Sequence, residues 1–130
     1  MNWLAILCAG AAYWVLGALW YSKLFSKPWS SAIEQHGIKL RATGFAMKLL
    51  VTFIANVIAA LVLGRLFHQL QVIDVLRGVK IGAAVGVGFC GTALTMTYIW
   101  QSPPPRLWAI DTGFHIVGFI LMGAILSAWP

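Results

Sequence analysis

Two residues of this chain have types and spacing that could do chemistry inside an otherwise apolar stretch. Asp111 and His115 stand four positions apart between Trp108 and Trp129. On a helix that spacing puts both side chains on one face. A carboxylate beside an imidazole, which can change charge near neutral pH, could pass a proton or hold a cation. The chain has only three acidic residues, Glu34, Asp74 and Asp111. One of them in a helix facing hydrocarbon demands a reason.

Neighbours for this pair follow from the alternation of successive spans. The first span ends, the second begins, the third ends and the fourth begins at one membrane surface. Tyr21, Lys48, Tyr98, Asp111 and His115 therefore share a leaflet. Lys48 is the expected countercharge for Asp111, and burying such a pair requires further hydrogen bonds, for which Tyr21, Tyr98 and His115 are placed. Asn56 is a separate intramembrane polar residue, expected either to bond to another helix or to line a solute path.

Other chemistries find little support. No nucleophile is paired with a base, and no two carboxylates face each other, so the chain is not expected to be an enzyme. Cys8 and Cys90 form no Cys-x-x-Cys pair, and His36, His68 and His115 are scattered, so neither a metal nor a cofactor is expected.

The elements that must position Asp111 and His115 are set by composition. Of 130 residues, 61% are hydrophobic and only 9% are charged, against about 25% charged in a soluble domain. Apolar runs predict helices over about 3–22, 46–67, 75–100 and 105–129, each near the roughly 20 residues that cross about 30 Å of hydrocarbon. Backbone groups in hydrocarbon must pair within their own segment, and the runs are too long for barrel strands. The fold class expected is all-α, a single four-helix transmembrane bundle. Between its first two helices, Pro28 suits a helix start and Gly37 a stop, while Trp29, Ala32, Ile33 and His36 recur at helical spacing. That predicts a short interfacial amphipathic helix over about 28–36.

The net charge of +6 resides between the apolar blocks, so the lipid bilayer, not nucleic acid, is the expected partner. Lys23, Lys27, Lys39, Arg41, Lys48 and Arg106 flank the first and third connections, against Arg65, Arg77 and Lys80 at the second. Positive-inside asymmetry then predicts both termini outside the cytoplasm. Gly78, Gly82 and Gly86 recur every four residues, a spacing that lets a second helix approach closely, either in the same chain or in a homo-oligomer.

The segments MNWLAILCAG, GALWYS at Gly17 to Ser22, and IDTGFHIVGFILMGAILSAW at Ile110 to Trp129 resemble the small bacterial membrane proteins catalogued as domain of unknown function 1761. The likeness covers nearly the whole chain. It implies a four-helix integral membrane protein in the bacterial inner membrane and carries no established activity. Lys23 stands where many relatives have proline after Tyr-Ser, and the run Pro103 to Pro105 replaces a more polar connector. Two functions are expected from the residues: a structural or accessory membrane protein held by an Asp/His/Lys clasp, or a small oligomeric transporter or channel using Asp111 and His115 as a proton or cation site.

Overall fold

The computed structural model describes residues 1–39 and 44–130. Arg41, one of the cations counted for orientation, lies outside the described residues. Helix α1 spans Trp3–Leu24, α2 Ser26–Gln35, α3 Phe45–Leu70, α4 Val75–Gln101 and α5 Pro105–Ala128. All but α2 are long and apolar enough to cross a membrane. Among the described residues there is no strand.

Local chemistry fixes where these helices start and stop. Asn2 Oδ1 accepts from the Ala5 N–H at 3.1 Å, and Asp74 Oδ2 accepts from the Arg77 N–H at 2.9 Å, each satisfying a backbone donor that a first helical turn leaves free. Pro105 opens α5, where a missing N–H costs nothing. Gly37, at φ +82°, stops α2 in a conformation that a side chain would strain.

Helix α5 is the axis of the bundle. In its most apolar window 44% of residues are buried, against 11% in α3. Helices α4 and α1 pack along α5, whereas α3 packs chiefly along α1. Ala5, Ala9, Tyr13, Ala60, Leu63, Phe114 and Met122 are the centre of the core. The outward side of α3 presents Leu50, Val51, Ile54, Ile58 and Val62, a surface suited to hydrocarbon.

Glycine allows the close crossings. A Cβ on Gly82 would strike the Phe119 carbonyl oxygen, one on Gly78 would strike Ser127, and one on Gly86 would lie 3.0 Å from the Ile116 Cα. The glycine stripe of α4 is thus used against α5 inside one chain. At Gly10 an added Cβ would lie 2.8 Å from the Val57 Cα, which sets the α1–α3 crossing.

Two segments are wound more loosely than an α-helix: Trp20–Leu24 at the end of α1 and Gly86–Gly91 in α4 are π-helical. The Phe25 N–H reaches back to the Trp20 carbonyl at 2.9 Å and closes the first of them. Helix α2 begins at Ser26, two residues before the expected start, so Pro28 falls inside the first turn, where its missing donor is still harmless. Ala32 and Ile33 are buried and pack with Leu107 at the start of α5. His36 is the cap of α2, not part of its buried face.

Candidate functional site

The end of α1, the middle of α2, the end of α4 and the start of α5 meet at one end of the bundle. Asp111 is the seventh residue of α5, beyond the backbone N–H groups left free in the first turn. Side chains supply its donors instead. Tyr21 donates its hydroxyl to Oδ1 at 2.6 Å, and Tyr98 donates to Oδ2 at 2.5 Å. One carboxylate therefore joins α1, α4 and α5. An ionised carboxylate is acceptor-only, which suits two phenol donors.

One turn further along α5, His115 Nδ1 is hydrogen-bonded to the Tyr13 hydroxyl. The chain contains three tyrosines, and all of them end on this Asp111–His115 pair. Phe114 lies between the two bonded groups, with ring centroids 5.1 Å from Tyr13, 5.5 Å from Tyr21 and 4.8 Å from His115. It holds the tyrosine rings by packing while their hydroxyls are held by hydrogen bonds.

Aromatic contacts and backbone bonds fix the surroundings. Trp20 Nε1 donates to the Ile110 carbonyl at 3.0 Å, and a Cβ on Gly113 would lie 3.3 Å from the same indole. Gly17 receives the Phe114 ring, whose Cζ would be 3.1 Å from an added Cβ. Trp29 of α2 packs edge-on to Tyr21 at 5.0 Å. Arg106 Nη2 donates to Ser31 Oγ and to Gln35 Oε1, both at 3.0 Å, and fastens α2 across the start of α5.

A cleft of about 310 Å³ lies against this cluster. Tyr21, Trp29, Tyr98, Asp111 and His115 line it together with the apolar side chains of Ile33, Ile38, Leu94 and Leu107. Among the described residues no lysine or arginine lines it. Lys48 sits exposed in the first turn of α3, outside this lining, and α3 packs chiefly along α1. Asn56 is half-buried on α3, away from the cluster, and its side chain makes no hydrogen bond among the described residues. Gly78, Gly82 and Gly86 form the α4–α5 contact and take no part in the site.

Tyr13 and Trp29 are the members that the sequence reading did not place here. A signal for Tyr13 exists: three tyrosine hydroxyls lie in apolar spans, each needs a partner there, and Asp111 and His115 are the strongest acceptors those spans contain. Trp29 was legible only as part of an amphipathic face. No group of three or more His, Cys, Asp or Glu side chains that could hold a metal ion occurs among the described residues.

Residues 4–127 match the family described as "protein of unknown function (DUF1761)", and the chain belongs to that family. No curated protein and no solved structure matches it.

Proposed function

We propose that this member of the DUF1761 family is a structural or accessory protein of the bacterial inner membrane, built on a polar clasp that holds three helices together at one membrane surface. The observation that carries this reading is the sharing of Asp111 between Tyr21 of α1 and Tyr98 of α4. A carboxylate and two phenols placed among lipid-facing helices are each costly alone, and pairing offsets that cost. Interhelical hydrogen bonds in membranes contribute about 0.6 kcal/mol on average and up to about 1.7 kcal/mol. The bonds of this cluster then set the register of α1, α4 and α5 more than they set total stability. In this reading Lys48 adds positive charge at the same membrane surface.

The clasp is tested by a double-mutant cycle on the purified protein in detergent. Tyr21→Phe and Asp111→Asn should each lower the unfolding free energy by about 1 kcal/mol, and the double substitution should cost less than the sum. Additive losses would remove the clasp.

A second reading, a proton or cation path through the same residues, is favoured by one observation: Asp111 and His115 both line the cleft. Intramembrane ionisable groups that reach a cavity commonly mark such paths. Proteoliposomes under a pH or sodium gradient decide it. Flux abolished by Asp111→Asn in a protein that stays folded supports a path, and absence of flux under either gradient rejects it.

A further inference from the structure

The cleft combines the Asp111 carboxylate, the His115 imidazole, the rings of Trp29, Tyr21 and Tyr98, and an aliphatic remainder, and that combination selects among ligands. An inorganic anion would meet the Asp111 carboxylate with no lysine or arginine among the described lining residues to offset it. A hard metal cation needs about six or more oxygen ligands. The oxygens available are those of Asp111, Tyr21 and Tyr98, already bonded to one another, while Ile33, Ile38, Leu94 and Leu107 complete the walls. Such an ion would exchange its water shell for hydrocarbon. A neutral apolar molecule would leave the carboxylate without a counterion.

An organic ammonium ion meets none of these objections. Its charge is spread over alkyl groups that lose little on leaving water, it can sit against a single carboxylate, and its remaining surface can be covered by aromatic and aliphatic side chains. We infer that the cleft between α2, α4 and α5 is a binding site for a small organic ammonium ion, held by Asp111 and by the rings of Trp29, Tyr21 and Tyr98. At about 310 Å³ the cleft lies at the lower end of ligand pockets, which run from about 300 to 1,000 Å³. A choline-sized ion is therefore the scale of ligand, not a large amphiphile. The inference rests on a solute reaching Asp111, as in the second reading above, and not on transport of that solute.

Helix α2 gives the site its specificity. Trp29 and Ile33 enter the cleft from α2, and that helix is fastened to α5 by Arg106 through Ser31 and Gln35. The guanidinium is thereby directed onto α2, while the donors to Asp111 among the described residues are the hydroxyls of Tyr21 and Tyr98. Trp29 meets the cluster through edge-on packing on Tyr21 and, among the described residues, donates no hydrogen bond to it, so a leucine of similar apolar character there leaves the Tyr–Asp–His bonds in place.

The test uses the full chain in detergent micelles, titrated calorimetrically with choline chloride and, separately, with 3,3-dimethylbutan-1-ol, which has the same shape without the charge. Choline should bind saturably and the alcohol should not. Asp111→Asn should weaken choline binding by at least about tenfold, and Trp29→Leu by about fivefold to tenfold, with the melting temperature of Trp29→Leu close to that of the unaltered protein. Equal binding of choline and the alcohol would overturn the inference and leave an apolar cleft. Proton or sodium flux without choline binding would overturn it while preserving the second reading. Choline binding without flux would sustain it and reject transport.

Discussion

A tyrosine hydroxyl inside a membrane span needs an acceptor, and at Asp111 and His115 three of them find one. The energetic consequence differs between the hydroxyl and the ring that carries it. Tyr13→Phe keeps the buried ring and removes only the bond to His115, so a loss of about 1 kcal/mol in detergent unfolding is expected. Gly118→Ala adds a methyl group against the Tyr13 ring itself, and its cost should exceed that of Tyr13→Phe by about 1–3 kcal/mol because neither α1 nor α5 can retreat without opening the core. Chemical or thermal unfolding of the two variants side by side checks the order; equal losses would mean that the ring contact adds nothing beyond the hydrogen bond. At this scale the sequence was partly legible. The four-residue spacing of Asp111 and His115, with the alternation of spans, brought Tyr21 and Tyr98 into reach. It also proposed Lys48, because alternation gives the leaflet of a residue but not its position around the bundle. With α3 packed chiefly along α1, Lys48 shares the leaflet of Asp111 and stands outside the described lining of the cleft.

The helices owe their arrangement to small residues and to two loosened turns, features that hydropathy does not encode. The length of the apolar runs located the spans, since twenty or so apolar residues leave the backbone few alternatives in hydrocarbon. It could not show that Gly78, Gly82 and Gly86 face α5 of the same chain, because a small-residue stripe suits any close partner. The π-helical turns at Trp20–Leu24 and Gly86–Gly91 were equally invisible, since each depends on the packing of the helix end or glycine segment that contains it. With the glycine face filled internally, Gly82→Leu should destabilise the monomer by about 3 kcal/mol or more through its clash with the Phe119 carbonyl, seen as lost folded protein in detergent. A variant that stays folded and loses only a crosslinked dimer would reverse this assignment. For α2, the attachment is the Arg106 fork together with Ala32, Ile33 and Leu107. Arg106→Ala should raise amide hydrogen exchange in Ser26–Gln35 by about tenfold, as the loss of two charge-assisted bonds implies, while exchange in α3 stays unchanged. Equal exchange in α2 before and after would show that apolar packing alone fixes it.

Over the whole molecule, four spans return the chain to the side from which it started, so both termini share one surface and the Tyr–Asp–His cluster faces the other. Charge distinguishes those surfaces. Lys23, Lys27, Lys39, Lys48 and Arg106 stand at the cluster end, with Arg41 in the same connection, and Arg65, Arg77 and Lys80 at the opposite end. Lys and Arg resist translocation, so this asymmetry predicts that the cluster end faces the cytoplasm. Orientation decides which compartment could supply a ligand to the cleft, because Trp29 and Asp111 open toward the end that carries α2. Ser30 is exposed on α2, and Ile73 is 72% exposed in the turn between α3 and α4 at the other end. In a background with Cys8→Ser and Cys90→Ala, a membrane-impermeant maleimide added to intact bacterial cells should label Ile73→Cys and leave Ser30→Cys unmodified, with the pattern reversed in inverted membrane vesicles. Labelling of Ser30→Cys in intact cells would place the cleft outside the cytoplasm. Labelling of both positions in both preparations would mean that the chain inserts in two orientations, and that a charge difference of six against three is too small to commit the bundle to one of them.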